Sequence, residues 1–278
     1  MRILLATLGT WSAVMMTAAC VPRPKRDADQ SQIRYQLAAD YFRNRRIEAA
    51  MDELHHALEL DPENADIYNL MGLISLQQGA EYLAQVETDT CLRGRDAEAV
   101  RRDATAKFRD AEQKLSKATD LRPKFSEAWN NLSVAALQLQ SYDVAANAAR
   151  SALKDVTYAE PEVARANLGW ALYQKKDIEG AWKELHEAAA RAPGFCVGRY
   201  RLAKVYVDRG DYDRAAEELA AVEAAKQCPI QEAFLLAGLV QQRRKDLPRA
   251  RELFGRCVDL APRSCLAAEC KRYGEMVQ

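Results

Sequence analysis

Glycine and proline are scarce in this chain, at 12 and 9 residues of 278. So few breakers exclude a turn-rich architecture and fit a mostly helical one. Net charge is also missing: 40 lysines and arginines balance 40 aspartates and glutamates. No basic excess is left to hold a phosphate backbone, so nucleic acid is not an expected partner. Histidine is rarer still, at three. His55 and His56 are neighbours on one predicted helix and point in different directions, and His186 stands alone. No Gly-x-Ser-x-Gly, P-loop or His-Glu-x-x-His pattern occurs, and no Cys-x-x-Cys pair offers metal-ligand spacing. The expectation is a chain with no catalytic residue, cofactor, metal or small-molecule substrate. Long apolar runs are confined to the first twenty residues.

What the chain has is repetition. Pro62 follows Ala50, Leu54 and Ala57 at spacings of twelve, eight and five; Pro193 follows Ala181, Leu185 and Ala188, and Pro262 follows Ala250, Phe254 and Cys257, in the same way. Small residues recur at an eighth position (Gly72, Gly169, Ala203, Gly238) and a twentieth (Ala111, Ala145, Ala181, Ala215, Ala250), where two helices must approach closely. Turns are expected at Gly79 and at Gly210-Asp211, and proline then stops the second helix because it has no amide hydrogen and clashes with the preceding turn. The pattern resembles the tetratricopeptide repeat, a helix-turn-helix of about 34 residues. It implies an all-α superhelical solenoid of about six repeats, at 31–64, 65–125, 126–161, 162–195, 196–230 and 231–264, with a capping helix over 265–278. No copy can bury its apolar face alone, so stacking makes the core. The second copy carries roughly 27 residues beyond the pattern, at about 80–106. This insertion reads as an extension of both helices or a small protruding hairpin, and it either adds a binding face or covers one. The third copy ends in Tyr158-Ala159-Glu160-Pro161, without proline at the usual stop.

Arg2 followed by an apolar run from Ile3 to Ala19 reads as a signal peptide over 1–19, too short for a membrane span. Thr17-Ala18-Ala19-Cys20 resembles the bacterial lipobox, with threonine where leucine is usual. That resemblance implies cleavage before Cys20 and lipidation of its thiol, and Val21, in place of an aspartate, implies the outer membrane. Three acyl chains at about 0.8 kcal/mol per buried methylene would make the anchor effectively permanent. Residues 20–30, with Pro22 and Pro24, read as a tether. Six further cysteines in an exported chain suggest disulfides. Cys196 and Cys228 fall at one rim of neighbouring repeats, and Cys257 faces the helix that carries Cys270, so these two pairs are favoured. Cys257 also occupies a small-residue packing position, where a buried free thiol would serve. Cys91 and Cys265 lie far apart in repeat order, and their pairing is left open.

In tetratricopeptide solenoids, positions two, five, nine, twelve and thirteen of each first helix line the inner wall. By that register the wall includes Tyr35 and Phe42, Asn69 and Leu73, Asn130 and Leu137, Trp170 and Tyr173, and Tyr200 and Lys204. So many apolar and aromatic residues at exposed positions form a groove for an amphipathic helix or extended segment. Trp170, Tyr173 and Tyr200 are its expected energetic centre; packing against the next repeat or the insertion is the alternative. The lysine–asparagine clamp of chaperone-binding repeats is not evident.

Between Tyr158 and Ala189 the pattern sharpens. Tyr158-Ala159-Glu160-Pro161-Glu162, Asn167-Leu168-Gly169-Trp170 and Lys175-Lys176-Asp177 resemble the type IV pilus biogenesis lipoproteins called PilF, PilW or Tgl. Asn130-Asn131-Leu132, Gly194-Phe195-Cys196, Cys228-Pro229, Cys257 and Cys270 fit as well, and most resemble the Tgl branch. The resemblance implies a pilotin: an outer-membrane, periplasm-facing lipoprotein of a Gram-negative bacterium that binds subunits of the pilus secretin and promotes their assembly. The insertion is not part of that resemblance. A different outer-membrane adaptor, for peptidoglycan hydrolases or outer-membrane protein assembly, would use the same groove and anchor.

Overall fold

The computed structural model describes residues 27–225 and 227–277. The signal peptide, Cys20 and most of the tether lie outside them. The described residues form thirteen α-helices and no strand. They are α1 (Ala28–Arg43), α2 (Ile47–Leu60), α3 (Ala65–Ala84), α4 (Gly94–Leu121), α5 (Ser126–Gln138), α6 (Tyr142–Ala152), α7 (Pro161–Gln174), α8 (Ile178–Arg191), α9 (Cys196–Asp208), α10 (Tyr212–Ala224), α11 (Gln231–Arg243), α12 (Leu247–Leu260) and α13 (Cys265–Met276). Six antiparallel pairs follow one another, and α13 packs on α12 and α11 as the cap. None of these helices is long and apolar enough to cross a membrane.

Each pair closes through its small residues. A Cβ on Gly72 would fall 2.5 Å from Leu115, on Gly169 2.6 Å from Leu185, and on Gly238 2.4 Å from the Phe254 ring. In these three copies the eighth position of the first helix therefore abuts the twenty-fourth of the second, closer than a Cβ permits. In the third pair Ser133 takes this place and donates its hydroxyl to the Ala145 carbonyl at 2.9 Å. Ala50, Ala111, Ala145, Ala181, Ala215 and Ala250 are all fully buried. Arg34–Glu53, Arg165–Glu184 and Arg199–Glu218 tie three pairs together at one shared spacing, with N–O distances of 2.6–2.8 Å.

The turns between paired helices also repeat. Arg45, Gln140, Lys176, Gly210 and Lys245 all have positive φ, between 58° and 73°. In each case the following amide donates to a carbonyl five residues back, as Asp177 does to Leu172 at 3.0 Å and Asp211 to Tyr206 at 2.9 Å. This left-handed turn satisfies carbonyls that the ending helix leaves free. Asp177, Asp211 and Asp246 then cap the next helix by accepting the amides of Gly180, Arg214 and Arg249.

Several details depart from the sequence expectation. No turn occurs at Gly79; α3 runs through it to Ala84, and the missing Cβ admits the Phe108 ring, which a Cβ would meet at 2.5 Å. The insertion is thus an extension of both helices, joined through a π-helical turn at Gln85–Asp89. Pro161 starts α7 instead of closing the third copy, because the first turn of a helix has no use for its amide. Tyr158 fills the gap left by the short α6, buried with Ala152 and Ala164. Ala28, Asp29 and Gln30 belong to α1 and not to a tether, since Asp27 caps the helix by accepting the Gln30 amide at 3.1 Å.

The structure contains three disulfides. Cys196 is joined to Cys228 and Cys257 to Cys270. The third joins Cys91 to Cys265 across 174 residues, with Cα atoms 4.6 Å apart. Repeat order left that pair open; the extended hairpin carries Cys91 past the intervening repeats to the cap.

The close approach at the eighth position predicts opposite signs for two substitutions in one repeat. Gly238→Ala drives a Cβ into the Phe254 ring and should destabilise by about 1–3 kcal/mol. Gly255→Ala meets nothing within 4 Å and should stabilise by about 0.5–1 kcal/mol through helix propensity. Thermal unfolding of the two variants beside wild type checks both.

Candidate functional site

From repeat to repeat the backbones of the first helices α1, α3, α5, α7, α9 and α11 approach one another, whereas those of the second helices stay apart, α10 and α12 meeting through the long side chains of Glu223, Arg249 and Arg256. The array therefore curves with its first helices inside, and their exposed faces form a concave wall. α3 makes no contact with α7, α9 or α11, so opposing walls stay apart.

The centre of this wall lies on α7 and α9. The Trp170 and Tyr173 rings, one helical step apart, stack at 5.0 Å with 14° between planes. The Arg201 guanidinium sits 5.4 Å from the Trp170 ring centroid, and Lys204 Nζ lies 6.0 Å from Trp170 and 5.8 Å from Tyr200. Two cations thus face aromatic rings whose π-clouds attract them. Burial pushes the Tyr200 hydroxyl up to about 12, with Glu232 adding to it. Burial, and then a hydrogen bond to Asp208, raise Tyr173 further above its ordinary range.

Arg201 is the residue that wall positions alone missed. It sits one place beyond the wall register and donates to the Ala166 carbonyl at 3.1 Å and to Asn167 Oδ1 at 3.0 Å. Burial pushes it down to about 10, against a smaller upward effect of Tyr200, so it remains charged at neutral pH. Among the described residues neither Arg201 nor Lys204 has a carboxylate in ion-pair contact. A buried charge left without a counter-ion favours an incoming anion. The signal in sequence was that Asn131, Asn167 and Arg201 share one repeat position, a polar thread beneath an apolar wall.

Asn130 is corrected by the structure. It is buried at 6% exposure and accepts from Asn167 Nδ2 at 3.1 Å, so it belongs to the inter-repeat thread and not to the groove surface. Asn69 accepts from Asn131 Nδ2 at 3.0 Å on the partly exposed wall. Tyr35, Phe42 and Leu73 lie half-buried against the first core cluster, and Leu137 against the largest one. They share the wall with the α7–α9 centre, and Leu137 packs on the same core cluster as Tyr173 and Tyr200. At the far end the wall positions Val207 and Leu239 line, with Leu236, Gln242, Arg243 and Tyr273, a mixed polar and apolar pocket between α9, α11 and α13. No group of three histidine, cysteine or acidic side chains among the described residues is arranged to hold a metal.

Two repeat-family profiles match this sequence: one described as TPR repeat at residues 29–79, and one described as tetratricopeptide repeat at 97–160 and 200–264. No curated protein is similar to it in sequence. Among solved structures, PilW, a widely conserved type IV pilus biogenesis factor, superposes with a TM-score of 0.65 at 21% identity, over 86% of this chain and 97% of its own. PilF of Pseudomonas aeruginosa gives 0.68 at 17% identity, over 88% and 97%. MamA of Desulfovibrio magneticus gives 0.53 at 17% identity, over 72% and 96%. At such identities the likeness establishes the fold. Matched over more than half its length by the repeat profiles, with its paired helices stacked first helix to first helix, the chain belongs to the tetratricopeptide-repeat proteins.

Proposed function

We propose that this protein is a non-catalytic scaffold of type IV pilus biogenesis, lipidated on Cys20 and held at the outer membrane facing the periplasm, whose concave wall binds secretin subunits and promotes their assembly there. The observation that carries the reading is the wall itself: stacked Trp170 and Tyr173 beside Tyr200, with Arg201 and Lys204 uncompensated. Large aromatics and arginine dominate binding energies at protein interfaces. The wall suits an amphipathic segment whose apolar face covers the rings and whose carboxylate meets the two cations. Similarity in fold to PilW and PilF, across almost the whole of both, supports the pilus assignment. The lipobox at Thr17–Cys20 supports the anchor. The mechanism is non-covalent: the groove gathers subunits, the lipid confines them to one membrane, and multimerisation follows from the raised local concentration.

Deleting the gene should abolish heat-resistant secretin multimers in the outer membrane; unchanged multimers overturn the pilus reading. Cys20→Ala should leave a folded periplasmic protein that no longer fractionates with the outer membrane, and continued co-fractionation contradicts lipidation. Replacing Trp170 and Tyr173 together by alanine should weaken secretin binding by about 2–4 kcal/mol, measured by titration calorimetry. Binding that survives while the melting temperature collapses would make these rings core instead of interface.

A further inference from the structure

The extended hairpin of the second repeat does more than protrude. Its two arms pack along each other, burying Ala97, Ala104 and Phe108. Its tip is built: Thr90 Oγ1 donates to the Gln85 carbonyl at 2.7 Å, the Leu92 amide donates to the Val86 carbonyl at 2.9 Å, and Val86 is fully buried. The tip lies against α13, and Cys91 is joined there to Cys265. Following neighbours, α3 packs on α5, α5 on α7, α7 on α9, α9 on α11, α11 on α13, and α13 on the turn that ends α3. The circuit is closed, and the wall bearing Trp170, Tyr200 and Lys204 forms part of its inner side.

We propose that this hairpin is a covalent clasp that closes the curved array into a ring and fixes the width of its groove. A stack of repeats held only by nearest neighbours flexes along its length; a link between the second repeat and the cap removes that freedom. Closure is a thiol–disulfide exchange. The Cys91 and Cys265 thiols give up two electrons and two protons to a disulfide-bearing oxidant, which leaves as two thiols. A reductant can reach the clasp at either sulfur, because both its cysteines are partly exposed, whereas Cys196–Cys228 is open only at Cys228 and Cys257–Cys270 is buried at both. The inference holds whatever occupies the groove, and its test needs no partner.

The test compares oxidised full-length protein, the same protein under mild reductant, and a Cys91→Ser/Cys265→Ser variant. Small-angle scattering and hydrogen exchange are measured on each, with Cys196→Ser/Cys228→Ser as the control. Opening the clasp should increase the radius of gyration and speed amide exchange at residues 85–92 at least tenfold, with helical circular dichroism unchanged; the control should keep the wild-type scattering profile. Mild reduction of wild type gives the same readout if the double variant does not fold. Superimposable scattering with unchanged exchange overturns the clasp, as does recovery of Cys91 and Cys265 as free thiols from the oxidised protein.

Discussion

The contact on which the rest of the structure depends is the near-touching of two helices at the eighth position of each repeat. Where glycine stands there, as at Gly72, Gly169 and Gly238, the space a Cβ would occupy is already filled by Leu115, Leu185 or Phe254. Helices that close present broad apolar flanks to the next pair, and α4, α6, α8, α10 and α12 each pack on the first helix that follows. First helices then sit nearer one another than second helices do, and the stack must bend toward them. Curvature, and with it the existence of a groove, is therefore a consequence of side-chain size at a few positions.

Much of this was legible in sequence because it rests on local rules repeated many times. Small residues in every repeat, an aspartate after three of the five left-handed turns and proline beyond most second helices all act within a few residues, so spacing reveals them. What escaped was set by single positions in three dimensions. Gly79 stands where a turn falls in the other repeats, and only the seating of the Phe108 ring turns it into a helix interior. Asn130 occupies a wall position yet faces Asn167, because a carbonyl oxygen and an amide one repeat apart bond more favourably to each other than to water at a half-dry interface. Arg201, one residue off the wall register, reaches the wall because its long stem turns back across Trp170.

The three disulfides divide along the same line. Cys196–Cys228 and Cys257–Cys270 span 32 and 13 residues and staple neighbours already in contact, so repeat register was enough to suggest them. Cys91–Cys265 spans 174 residues and depends on the length and direction of a helical extension that belongs to no repeat rule. Chain entropy ranks them in reverse order of legibility. By the loop-closure argument the shortest constrains the unfolded chain by roughly 3 kcal/mol and the longest by roughly 5 kcal/mol.

That ranking bears on binding as well as stability. A segment entering a flexible superhelix must order its host before it gains from contact, and such ordering subtracts from affinity. A groove whose ends are fixed to each other before any partner arrives avoids that cost. Its aromatic rings keep their spacing, and Arg201 and Lys204 stay where an incoming carboxylate would meet both. The neutral overall charge matters here too. With no net charge to draw a partner in from a distance, short-range fit carries more of recognition, and a wall of fixed curvature supplies it.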